Sequence, residues 1–324
     1  MTSSGPAVRP WVPLALTALT ALTFLLVYHY FILCAGGGCV PDRAFHAALE
    51  AVARSDAAAQ RAALPYRLVW VCLVGLSVLV PILCTAVAAT CLWPLDRKRR
   101  TPRLIIALVL TVGFTLLFFS AHSSTPDHVW RQFLHEGLLA DFPAILWLNP
   151  RLDAVSLFTT LAIACAVTGL IAEATDSVTP PTLADVVRHR RWMNGILYLA
   201  AAELVVSLVR LRVFMDWSLA YVLPLPEGTT GELAVAQAAL PPVAGAVTTV
   251  LAILYTAFLL GISLPTAMVI RGAGDAMSAE QPTDSRERVQ WEAMVSLSAQ
   301  APRLLAILAP LLSGLIAELV KVGG

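Results

Sequence analysis

The stretch WMNGILYLAAAELVVSLVRLRVF, from Trp192 to Phe214, is apolar over a length that can cross a bilayer, yet it carries Glu203 near its middle. A helix needs about 20 predominantly apolar residues to span a hydrocarbon core about 30 Å thick. An acid at the centre of such a helix is expensive in lipid and is expected to face protein or water. Ser207 and Arg210 follow Glu203 by four and seven residues, so the three lie on one stripe of the helix. They are the candidate ion- or substrate-binding residues. Arg210, near the helix end, and Arg212, on nearly the opposite side from Glu203, are both long enough to snorkel to the headgroups.

The same apolar signal recurs along the chain in seven windows: Trp11 to Leu33, Leu68 to Trp93, Leu104 to Ala121, Val155 to Ala174, Trp192 to Phe214, Val243 to Ile270 and Leu304 to Val320. The last is the weakest, because Pro310, Ser313 and Gly314 interrupt it and Glu318 and Lys321 sit near its end. The whole chain agrees: 58% of its 324 residues are hydrophobic and 13% charged, with a mean hydropathy of +0.76. Soluble domains carry about 45–50% apolar and about 25% charged residues. The expected fold is an all-α polytopic transmembrane helical bundle with six or seven spans. It divides into a cytoplasmic tail at 1–10, a six-helix transmembrane region with short extracytoplasmic amphipathic helices at 11–270, a cytoplasmic connection at 271–303, and a seventh transmembrane or re-entrant helix at 304–324.

Orientation follows from the basic residues, which are retained on the cytoplasmic side. Arg97 to Arg100 with Arg103, then Arg188, Arg190 and Arg191, then Arg271, Arg286, Arg288 and Arg303 fall in alternate connections, with Arg9 in the tail. That side holds thirteen of the basic residues and the other nine. The N-terminus is therefore expected inside, in the plasma (inner) membrane. The first window exceeds the apolar run of a signal peptide and reads as an anchor. A formal net charge of +1 gives no broad basic face for nucleic acid. Membrane lipids, a second copy of the chain or a membrane partner protein are the expected partners.

Cys34 and Cys39 bracket a glycine-rich turn just outside the first window, where a disulfide is sterically accessible in an oxidising compartment. Cys72, Cys84, Cys91 and Cys165 lie in apolar runs and read as packing residues. Phe45, Leu49 and Val52 mark one outer amphipathic helix, and a second opens at Thr125-Pro126-Asp127. Its His128 and His135 are two turns apart, too far for one metal. No cofactor and no metal site is expected. On the inner side, Leu183 to Val187 suggests a short surface helix ending in the basic run 188–191. Val289, Trp291, Met294 and Val295 suggest an amphipathic helix for a partner or the membrane surface.

No GxSxG elbow, HExxH, P-loop or Rossmann glycine pattern occurs. Thr248, Thr249, Tyr255, Thr256, Ser263 and Thr266, with Thr159, Thr160 and Thr168, are polar groups that can line a pore or bond their own helical carbonyls. Pro81, Pro265 and Pro310 free backbone carbonyls within the windows. The leading expectation is an integral membrane conduit, transporter or channel-like, for an ion or small solute. The alternative is a nonenzymatic membrane assembly or sensor subunit. An intramembrane lipid-modifying enzyme, resting on Glu203 and His29, stands third; the balance leans away from an enzyme.

Overall fold

The computed structural model describes residues 57–92, 181–220 and 230–322, together with single helical positions between 148 and 174. The first and third apolar windows, the Cys34/Cys39 pair and the outer amphipathic helices lie outside the described residues. All regular structure among the described residues is helical: α1, Ala57–Leu92; α2, Leu183–Ala220; α3, Glu232–Ala279; α4, Arg286–Val295; and α5, Leu297–Val322. Three stretches are long and apolar enough to cross a membrane, Arg61–Cys91 in α1, Ala238–Ala279 in α3 and Ser298–Ile316 in α5. The protein is thus a helical membrane protein. The weakest window of the sequence is one continuous helix despite Pro302 and Pro310, with the Ser313 hydroxyl donating to the Pro310 carbonyl at 2.8 Å.

α2 is the centre of the bundle. It packs against α1, α3, α4 and α5 and buries most of its surface, from Val186 and Met193 through Leu197, Ala200 and Leu204 to Met215, leaving one exposed stripe at Ala184, Arg188, Arg191, Tyr198 and Ala202. Its neighbours instead expose apolar faces, such as Leu79 and Ile82 on α1, Leu264 and Met268 on α3, and Leu305 and Ile316 on α5. In a bilayer those faces meet lipid at no cost. The short surface helix read at 183–187 is instead the first turns of α2. Thr182 caps it: its hydroxyl and its backbone N–H donate to Asp185 Oδ2 at 2.7 and 3.0 Å, and the Asp185 N–H donates back to the hydroxyl at 3.3 Å. This reciprocal box satisfies donors that a helix start leaves open. The Thr182 hydroxyl, helped by its N–H and by Arg188, holds the Asp185 carboxyl below the usual aspartate range.

Cross-contacts fix the helix directions. Trp70 of α1 stacks on Phe214 of α2 at 5.7 Å and meets Trp217 at 5.9 Å, while Cys84 lies within electrostatic reach of Glu203; the two helices are antiparallel. Arg212 reaches Thr248 and Arg190 reaches Ala267, so α3 is antiparallel to α2. α5 approaches α3 most closely at Gly314, where an added Cβ would sit 2.8 Å from the Ala252 Cβ and 3.8 Å from Leu208. Adjacent described elements therefore alternate in direction as the apolar windows require. At the other end, the ring of Trp291 on α4 lies where any Cβ on Gly274 would be. Trp291 is buried, so this residue of the amphipathic α4 is committed to the bundle and not to an outside partner.

The two kinds of glycine make a stability test. Gly195→Ala adds a methyl with nothing within 4 Å and should be neutral or gain up to about 1 kcal/mol in helix propensity. Gly314→Ala, made against Ala252, should lose about 1–3 kcal/mol by overpacking. Thermal melting of the detergent-purified variants reads the difference, and equal melting points would remove the close α3–α5 approach.

Candidate functional site

Glu203 is 2% exposed and sits midway along α2. The Ser156 hydroxyl donates to its Oε1 at 2.6 Å and lies 3.4 Å from the Ser207 hydroxyl. The stripe read from sequence is thereby joined by a serine from another helical segment. Ser156 stands three residues before Thr159 in the same apolar window, and its own spacing gives no reason to single it out. Glu203 Oε2 makes no hydrogen bond among the described residues. A buried polar atom with no partner is uncommon and marks strain, function or a small species bound there. On α3 the contacts of Ala267 with Arg190 and of Thr248 with Arg212 bracket Thr256, which falls at about the height of Glu203. Its buried hydroxyl also lacks a partner.

Arg210 and Arg212 are each 4% exposed, so neither snorkels. The charge of Arg210 acts on Glu203, and Ser207 lies between them on the stripe. Arg212 is turned inward and is paired: its Nε donates to Asp216 Oδ2 at 3.0 Å, and Nη1 reaches the Thr248 hydroxyl at 3.5 Å. The snorkelling expectation failed because the carboxylate that receives Arg212 stands one turn further along the same helix, where an i, i+4 pair meets. Asp216 had been outside the apolar window and so outside the reading.

Most of the pore-candidate hydroxyls are spent locally. Thr159, Thr248, Ser263 and Thr266 donate to the carbonyls of Val155, Ala244, Leu259 and Ile262, each four residues back, at 2.6–3.0 Å. Ser263 and Thr266 flank Pro265, so they support the helix at the point where a backbone donor is missing. Among the described residues, Glu203 Oε2 and the hydroxyls of Thr256 and Ser77 are buried without a hydrogen-bond partner.

A second polar cluster, not anticipated from sequence, closes the other end of the bundle. Arg190 is 2% exposed and Arg303 6%, and the charge of Arg303 acts on Arg190. Arg190 lies over the Trp291 ring, 5.9 Å from its centroid. The Trp291 Nε1 donates to Asp275 Oδ1 at 2.9 Å. Burial, with the charges of Arg303 and Arg271 beside it, pulls the Arg190 guanidinium down to about 10, which still leaves it charged at neutral pH. The signal that was available in the sequence is the polar series Arg190, Asn194 and Tyr198, spaced by four into an apolar helix.

Among the described residues no three His, Cys, Asp or Glu side chains gather as a metal site. Set against known proteins, the chain matches no family model, no curated protein and no solved structure.

Proposed function

We propose that this chain is an integral membrane conduit whose central group is Glu203 and whose cargo is a proton or small cation. The observation that carries the reading is the free Oε2 of a carboxyl group buried at mid-helix, with Ser156 and Ser207 on its other side. A carboxyl group is kept in such a place at a cost, and ionisable groups inside membrane bundles mark ion and proton paths. One oxygen is oriented by Ser156, and the other is open to a proton or an ion. Arg210, on the same stripe, supplies a fixed positive charge that modulates the affinity of the carboxylate for a cation. The back-bonded hydroxyls of α3 take no part; Thr256 is the hydroxyl of that helix available to the path.

The arginine-rich end, with Arg188, Arg191, Arg271, Arg286 and Arg288, faces the cytoplasm in this proposal, and the chain resides in the plasma (inner) membrane with its N-terminus inside. Thr230 and Glu280, exposed at opposite ends of α3, report the orientation. With native cysteines replaced, a cysteine at Thr230 should label from outside intact cells and one at Glu280 only after lysis; the reverse pattern would invert the topology.

Flux into liposomes tests the function. Glu203→Gln preserves shape and hydrogen bonding to Ser156 while removing the titratable group. It should assemble normally and lose proton or cation flux by at least about tenfold, the equivalent of about 1.4 kcal/mol in barrier. Normal accumulation of Glu203→Gln with unchanged flux across pH would reduce the carboxyl to a packing group and leave the assembly-subunit reading in its place.

A further inference from the structure

The cluster at the arginine-rich end has a charge imbalance that the described residues do not correct. Arg190, Arg303 and Arg271 stand near one another, with Asp275 as the acid that acts on Arg190. Both Asp275 oxygens are committed elsewhere: Oδ1 accepts from Trp291 at 2.9 Å, and Oδ2 pairs with Arg271 at 3.4 Å. Arg190 has the Ala267 carbonyl at 3.4 Å and the face of Trp291. Arg303 has the Gln300 side-chain oxygen at 2.9 Å and the Met294 carbonyl at 3.3 Å. All of these partners are neutral. The Nε–H of each arginine is buried without an acceptor. Asn194, one turn beyond Arg190, also has its side-chain oxygen buried and unbonded. The two ends of an amide are interchangeable by rotation, so Asn194 can present its NH2 to an anion as readily.

Two neighbouring buried guanidiniums repel, and burying either without a counter-charge is costly. We propose that Arg190 and Arg303 bind a phosphate group between α2, α3 and α5, carried there by an anionic phospholipid. Phosphate oxygens match the guanidinium fork and accept from Nε–H and Nη–H together. The depth fits a headgroup: Arg303 lies in the first turns of the apolar stretch Ser298–Ile316. The next residues along α5, Leu304 and Leu305, are exposed and apolar, a surface suited to an acyl chain. Tyr198 is exposed and in electrostatic reach of Arg303. Basic pockets between helices near the membrane surface hold lipid phosphates by this chemistry. The site is distinct from the Glu203 stripe and does not depend on what that stripe conducts.

The test uses the purified full chain in detergent, with dioleoyl phosphatidylglycerol, the diacylglycerol of the same chains, and inorganic phosphate against chloride at matched ionic strength. Native mass spectrometry should retain one phosphatidylglycerol per chain and no diacylglycerol. The melting temperature should rise by about 5 °C when the phospholipid is at about 100 times its Kd. Arg190→Gln and Arg303→Gln should lose both effects, whereas Arg188→Gln and Arg286→Gln, at exposed positions, should keep them. If a glutamine variant does not fold, Arg190→Lys and Arg303→Lys keep the charge but not the fork and should retain the lipid less well. A shift reproduced by inorganic phosphate alone would uphold the phosphate site and assign its source to the soluble anion. Equal retention of diacylglycerol, no shift with either phosphate source, or lysine variants that bind as the unaltered chain does would each overturn the proposal.

Discussion

An apolar interior offers no hydrogen bonds of its own, so a helix that buries Arg190, Glu203, Arg210 and Arg212 has to find their partners in protein. That constraint orders the bundle. α2 is buried over most of its surface, and the helices around it, α1, α3 and α5, expose Leu, Ile, Val and Met. Polar residues sort accordingly. On α2 they meet Ser156, Asp216, Thr248 and the Ala267 carbonyl across or along the helix; on the outer helix α3 several hydroxyls turn back to their own carbonyls.

Two polar levels of the bundle are separated by apolar packing. At mid-height Glu203 is held by one oxygen. At the arginine-rich end, Arg190 lies over the ring of Trp291, which itself is seated on the bare backbone of Gly274, and Arg303 is buried as well. Between them run Met193, Ile196, Leu197 and Ala200, all buried. In the proposals above the two levels answer different needs: a carboxyl group for a small cation or proton in the interior, and a pair of guanidiniums for an anion at the boundary.

Periodicity and length made α1, α3 and α5 legible in the sequence, since an apolar run of sufficient length has few other uses. The window around Glu203 was legible too, and its acid singled out the buried stripe. Three features were not. The start of α2 at Leu183 was read as a separate surface helix because Arg188, Arg190 and Arg191 look alike in a basic run. Only the fold distinguishes exposed Arg188 and Arg191 from buried Arg190. Arg212 was read as snorkelling because its acceptor, Asp216, lay outside the apolar window. Ser156 was invisible because a hydroxyl that meets a carboxyl across helices has no local pattern. In each case the missing information was tertiary: which neighbour stands opposite, at what height.

The central claim is that the Glu203 side of α2 is packed in protein while α1, α3 and α5 carry the lipid-facing surface. A spin-label accessibility scan in liposomes addresses it directly, with labels placed in turn at Ile196, Ala200, Leu204, Leu208 and Met215 of α2, all buried, and at Leu305, Leu308 and Leu312 of α5, all exposed. Labels at the α2 positions should collide little with either oxygen or a water-soluble nickel chelate, while those on α5 should collide strongly with oxygen. High oxygen accessibility at the α2 positions would contradict the account.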